Sequence, residues 1–278
     1  MRYILILILA LFSFWACKRV DQSDKKQEKP CDIELTSSEQ ITPNSQYLAQ
    51  AVLWYQKSAE LRALYLQAFN LAKLQLQKFT GEGNKKPAVV LDIDETVLDN
   101  SPYEGYRILN DKEYERETWN AWVEKESAYA TPGALDFVNY AKELGVEVFY
   151  ISNRTIDLLE STVNNLKELK FPNADEKFIL LKENDSSKES RRLKVSENYN
   201  IVMLIGDNLI DFHQVFENRG DDHAYALVDS MRQEFGSKFI ILPNPMYGSW
   251  EKDIYGDMDT DAAQKDSIRK CFLNSFRP

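Results

Sequence analysis

Two aspartates one residue apart, Asp92 and Asp94, follow directly on Ala88–Leu91, an apolar and β-branched run that reads as a strand buried on both faces. They therefore fall where a parallel strand ends, and in open α/β sheets that end faces the ligand crevice. A carboxylate placed there can be a nucleophile, a metal ligand or a general acid. The rest of the chain must supply the partners that decide between these roles. Other strand ends carry polar residues too: Ser152, Asn153 and Arg154 after Ile151, Lys182 and then Lys188 after Leu181, and Asp207, Asn208 and Asp211 after Ile205. Parallel strands present their ends on one side, so these groups are expected to converge. Several carboxylates in one crevice repel one another and raise each other's pKa unless a cation sits among them.

The elements that must position them alternate between strand and helix. A helical pattern runs from Gln46 to Phe79, as one helix or two in series, and the glycines at 81 and 83 end it. Thr131 and Pro132 read as the N-cap and first residue of a helix to about Leu144. Then follow strand Val146–Ile151, helix Asp157–Leu169, strand Phe178–Leu181, helix Ser187–Glu197, strand Ile201–Ile205, helix Phe212–Asn218 and a last apolar run, Phe239–Leu242. This order predicts an α/β fold with a parallel sheet covered by helices on both faces. The long insertion from Glu104 to Ala130 could form a small cap.

The 278 residues hold 44 acidic and 34 basic side chains, a net charge near −10. Such a surface disfavours nucleic-acid backbones, and no basic patch with interleaved aromatics overrides this, so no nucleic acid is expected as a partner. His213 and His223, the two histidines, are assigned no catalytic role, and no histidine-phosphatase motif is present. Residues 1–17 have the form of an export signal: Arg2, an apolar run from Tyr3 to Trp15, then Ala16 and Cys17. Cysteine after a small residue resembles a bacterial lipoprotein box, with Phe14 where leucine is preferred. On that resemblance the signal would be cleaved and Cys17 lipidated, with a palmitate-type anchor to the outer membrane; an uncleaved anchor or ordinary secretion is the alternative. Residues 18–44 are polar and without apolar period, a flexible tether. In an oxidising compartment the other two cysteines, Cys31 and Cys271, could pair.

The segments VVLDIDETVLDNSPY (89 to 103), ISNR (151 to 154) and IVMLIGDNLIDF (201 to 212), in this order with a lysine before the last, resemble the haloacid dehalogenase superfamily. More narrowly they resemble the class C acid phosphatases of the outer membrane lipoprotein e type, as do residues 49 to 73 and LPNPMYGSWE (242 to 251). The resemblance implies a Rossmann-like core at about 85–278, within an acid phosphatase domain 45–278, and a small α-helical cap from about 45–80 and 104–130. It implies an Mg²⁺-dependent phosphomonoesterase in which Asp92 attacks phosphorus to form an aspartyl-phosphate and Asp94 acts as general acid and base. Asp92, Asp207 and the Asp94 carbonyl would bind the metal, and Asp211 would hold it through water or orient its shell. Ser152, Asn153 and a lysine would bind phosphoryl oxygens, Lys188 matching the family position better than Lys182. Arg154 could bind substrate phosphate or serve a structural pairing.

The family also implies 5′-nucleotidase activity on nucleoside monophosphates outside the cytoplasm, and a homodimer. Tyr103, Trp119, Trp122, Tyr247 and Trp250 are the aromatics near the crevice, with Trp119 and Tyr247 the expected pair to stack on a base. A broad phosphatase without base recognition, and a non-catalytic surface lipoprotein, are the alternatives.

Overall fold

The computed structural model describes residues 45–79, 84–256 and 260–276. The expected lipidation site Cys17, the tether and Cys31 lie outside them. Cys271 carries a disulfide. No helix among the described residues is long and apolar enough to cross a membrane.

In chain order the elements are α1 (Ala49–Lys57), α2 (Ala59–Gln77), β1 (Lys86–Leu91), β2 (Leu98–Asp99), α3 (Ser101–Leu109), α4 (Arg116–Val123), β3 (Tyr129–Ala130), α5 (Ala134–Glu143), β4 (Glu147–Thr155), α6 (Leu159–Glu168), β5 (Ile179–Lys182), α7 (Glu189–Ser196), β6 (Tyr199–Gly206), α8 (Tyr225–Ser230), β7 (Phe239–Ile241), α9 (Ser249–Tyr255) and α10 (Ala262–Cys271). Five strands form one sheet in the order β5-β4-β1-β6-β7, every neighbouring pair parallel. The strand ending in the two aspartates is thus the central one.

Successive side chains of a strand point to opposite faces, and β1 divides accordingly. Val89 and Leu91 join Val148, Tyr150, Met203 and Ile205 beneath α2, α5 and α6. Ala88 and Val90 join Phe149, Ile151, Leu204, Phe212 and Phe239 on the other face. With both faces dry, β1 has no polar side to offer until it ends at Asp92.

The helical pattern from Gln46 breaks at Ser58, whose extended backbone ends α1 and whose hydroxyl accepts from Leu61 N to cap α2. In α2, residues Leu61, Tyr65, Phe69, Ala72 and Leu76 are buried at helical spacing. They pack against α5, β6 and β7, so α2 covers the sheet, while α1 packs on α3. The insertion is closed at its base by a short antiparallel pair in which Leu98 meets Ala130 and Asp99 meets Tyr129. It carries α3 and α4.

Two local expectations differ. Thr131 does not cap α5; its hydroxyl donates to Thr96 O at 2.5 Å, and Gly133 at φ 87° precedes the helix. No α-helix forms over Phe212–Asn218. His213 is extended there and separates two 3₁₀ turns, Leu209–Asp211 and Gln214–Glu217.

Glu147, at the start of β4, shows what a neighbouring cation does to a buried acid. Burial disfavours its charge, but bonds from Lys142, Lys86 (2.8 Å) and Asn173 (2.6 Å) outweigh this and hold its carboxyl down at about 2. A depressed carboxylate stabilises the fold above its unfolded pKa of about 4.5 and loses that stabilisation as pH falls through 2. Glu147→Gln is therefore expected to lower unfolding free energy by about 2–3 kcal/mol at neutral pH. In urea titrations, the difference from the parent should shrink steadily between pH 4.5 and 2.

Candidate active site

The ends of β1, β4 and β6 and the loop before α7 meet above the sheet. Asp92 is 7 % exposed, and its Oδ1 accepts from the Lys188 ammonium. The same ammonium donates to Asp211 Oδ1 at 2.6 Å. Oxygens of Asp92, Asp207 and Asp211 lie within 4.8 Å of one another. Lys188, at the start of α7, is the lysine that enters the site; Lys182 is the last residue of β5.

This crowding has electrostatic consequences. Burial, with Asp211 and Asp94 nearby, raises the Asp92 carboxyl to about 7 even though Lys188 pulls it down. Asp207 is pushed well above the usual range by burial and by Asp211 and Asp92. Burial would discharge Lys188, but Asp211 and Asp92 outweigh it and raise its pKa. Three carboxylates against one ammonium leave two negative charges when all are ionised. A divalent cation would cancel them, and an all-oxygen donor set suits a hard one such as Mg²⁺.

Asp211 reaches the triangle because Gly206 lets it. A Cβ on Gly206 would lie 2.6 Å from the Asp211 Cβ and Cγ, closer than real contacts allow. The other Asp211 oxygen accepts from Asn208 N at 2.9 Å, folding the carboxylate back over the strand end. Gly206→Ala is expected to displace it, weakening Mg²⁺ binding at least tenfold and lowering stability by about 1–3 kcal/mol. Calorimetric Mg²⁺ titration and thermal melts would measure both.

Asp94 stands apart from the triangle and is held from three sides. Its Oδ1 accepts from Arg154 Nε (2.9 Å), Arg154 Nη2 (2.8 Å) and Asn100 Nδ2 (2.9 Å), and its Oδ2 from Ser152 Oγ (3.0 Å). Arg154 is buried, with its remaining donors on Thr162 Oγ1 and Asn100 Oδ1. Its guanidinium is thus paired with Asp94 and, of its two expected roles, takes the structural one here. Ser152 also differs from expectation: it is fully buried and its single O–H goes to Asp94, so delivering that proton to a phosphoryl oxygen would require Asp94 to release it.

A crevice of about 710 Å³ opens over Asp94, Asn153 and Arg154, walled by Trp119, Tyr114, Tyr247, Tyr255 and Tyr47 and by the charged residues Glu104, Arg107, Glu113, Glu251, Lys252 and Lys265. Trp119 and Tyr247, the expected stacking pair, both line this crevice. Tyr103 does not line it: it is 2 % exposed, its ring meets Trp119 edge-on at 5.2 Å, and its hydroxyl bonds Thr118. It supports the wall from behind, as its position on the inner face of α3 dictates. Trp122 likewise points inward, donating to Asn100 Oδ1, and Trp250 does not line the crevice.

Several site residues escaped sequence reasoning. Asn244 donates to Asp207 Oδ2 at 2.8 Å. Asn100 links Trp122, Arg154 and Asp94. Arg191 and Arg192, on the first turn of α7, bond the loops on either side of Lys188. An arginine pair one turn beyond a candidate lysine was the available signal; nothing in the pattern singled out the asparagines.

The model of HAD superfamily, subfamily IIIB (acid phosphatase) matches residues 21–250. The chain is similar to a class C acid phosphatase from Bacillus anthracis, with a TM-score of 0.81 and 41 % identity over 84 % of this chain and 100 % of that one. The tungstate-bound structure of the class C acid phosphatase from Bacillus anthracis gives 0.79 and 40 %, over 84 % and 99 %. The stem 28 kDa glycoprotein of Glycine max is 31 % identical over 177 residues, 60 % of this chain and 61 % of that protein. Against the curated relatives the match spans between 52 % and 61 % of their length.

Proposed function

The chain belongs to subfamily IIIB of the HAD superfamily, the acid phosphatases, and from that premise we propose that it is a metal-dependent phosphomonoesterase that accepts a range of esters. The observation that carries this is the Asp92, Asp207 and Asp211 triangle with the Lys188 ammonium inside it. Asp92 is the nucleophile: its carboxylate attacks phosphorus, the ester oxygen leaves, and an aspartyl-phosphate forms. Asp94, aimed by Arg154, Asn100 and Ser152, would in its protonated form give that proton to the departing oxygen and, as the carboxylate this leaves, later take one from the attacking water. Lys188 neutralises charge on the transferring group. Asp92, Asp207 and Asp211 would hold Mg²⁺, whose positive charge would offset repulsion between nucleophile and phosphate.

A second reading, preference for nucleoside monophosphates, is favoured by Trp119 and Tyr247 on the crevice wall. Each base–aromatic contact is worth about 1–3 kcal/mol. The features of residues 1–44 support a lipid-anchored protein of the cell envelope, where such an enzyme would meet esters that cannot cross the inner membrane.

The test is phosphate release from AMP, nicotinamide mononucleotide and p-nitrophenyl phosphate, with Mg²⁺ and with EDTA. Turnover of all three that is lost in EDTA is the expected result, and no turnover of any would defeat the phosphatase reading. If the wall recognises a base, Trp119→Ala should raise KM for the nucleotides about tenfold or more and leave p-nitrophenyl phosphate nearly unchanged. Equal effects on all three would remove nucleotide preference.

A further inference from the structure

The Arg191 guanidinium spans the two loops that must grip a phosphoryl group. Its Nη1 donates to Ser152 O at 2.5 Å and its Nη2 to Asn153 Oδ1 at 2.6 Å, both at the end of β4. From the other side, Nη2 donates to Ser187 O at 3.0 Å, the residue before Lys188. The side chain is only 8 % exposed and sits three residues after Lys188, on the same helical face. It touches none of Asp92, Asp94, Asp207 or Asp211 by hydrogen bond.

We propose that Arg191 is a positioning residue that orients the Asn153 amide toward the phosphoryl group and fixes its distance from the Lys188 ammonium. A guanidinium has only donors, so the amide end facing it must be the oxygen. That leaves both Asn153 N–H donors for the crevice, whose wall Asn153 forms beside Asp94. Without Arg191 the amide could turn over and present its oxygen to an anion, converting an attraction into a repulsion. A planar fork suits the task because it holds several acceptors on two segments at once, which a lysine ammonium on a flexible stem does not.

The inference rests on the phosphatase reading, and a double-mutant cycle tests it on the Mg²⁺-loaded enzyme. The competitive inhibition constant of inorganic phosphate, kcat/KM for p-nitrophenyl phosphate, the Mg²⁺ activation constant and the melting temperature are measured for the parent, Arg191→Met, Asn153→Ala and the double variant. Each single variant is expected to raise the phosphate inhibition constant about ten- to a hundredfold, the double no more than the worse single, and the Mg²⁺ constant is expected to stay put. Arg191→Lys is expected to keep the fold and still bind phosphate at least about fivefold more weakly than the parent; it carries the test should Arg191→Met fail to fold. Independent, multiplying effects of the two single changes would overturn the proposal, as would unchanged phosphate inhibition in Arg191→Lys or a loss that merely tracks Mg²⁺ affinity and melting temperature. An inactive parent would instead overturn the phosphatase reading, and this proposal with it.

Discussion

Asp92→Asn is expected to reduce phosphate release by about 10⁴-fold or more, while the metal-free protein melts no lower than the parent at pH 8. The two halves of this result have one cause. Asparagine keeps the shape of the side chain but cannot form the aspartyl-phosphate. For stability the sign is opposite. The folded carboxyl is raised to about 7 from an ordinary value of 3.8, so between those pH values the folded state binds more protons than the unfolded one. Stability contributed by this group therefore falls as pH rises from about 4 to 7, and above 7 the buried charge is a standing penalty. Asparagine removes it, and Lys188 retains Asp211 as a partner. Calorimetric melts of parent and variant in EDTA at pH 5 and pH 8, beside a phosphate-release assay, would check both halves. A variant that is inactive because it is unfolded at pH 8 would contradict the argument.

The fold was legible because its period is strong. In β1, Ala88–Leu91 is apolar without interruption, short and β-branched at Val89 and Val90, as a strand covered on both faces would be, and the flanking helix α2 repeats its apolar residues at three and four. What failed to show was set by tertiary contact. Thr131 and Pro132 have the right types for a helix start, but Thr96 O lies within reach of the hydroxyl and a partner far along the chain won over the local cap. The run after Asp211 looks helical by composition, yet Asp211 must fold back to Asn208 N and toward Lys188, and this commits the backbone to a tight turn instead.

The site divides in the same way. Carboxylates at strand ends are visible in one dimension because the strand fixes where they point. The roles of Arg154 and Tyr103 were not, since each depends on what lies across the site: Asp94 and Asn100 for the first, Trp119 for the second. Asn100 and Asn244 aim other residues, and an aiming asparagine has no spacing of its own.

Lys188→Met carries the second large effect. Methionine matches the length of the stem but leaves Asp92, Asp207 and Asp211 with no cation among them. Breaking a buried ion pair from one side typically costs about 3–5 kcal/mol, because the remaining charge stays buried and uncompensated. Here Asp92 and Asp211 lose the same partner, so the Asp92 carboxyl, which Lys188 pulls down, should be raised further and the metal-free protein should become markedly less stable at neutral pH. Both acid and Mg²⁺ would relieve this, acid by neutralising the carboxylates and the metal by replacing the missing charge. The melting temperature of Lys188→Met is therefore expected to rise on going from pH 8 to pH 5.5 in EDTA and to gain more from Mg²⁺ than the parent's does. Turnover should still fall about 10²–10³-fold with Mg²⁺ saturating, since the donor aimed at the transferring group is gone. Stability restored by metal without activity would separate the two duties of this ammonium, holding the carboxylates together and stabilising the phosphoryl group in transit. Full activity in the Mg²⁺-saturated variant would leave it only the first.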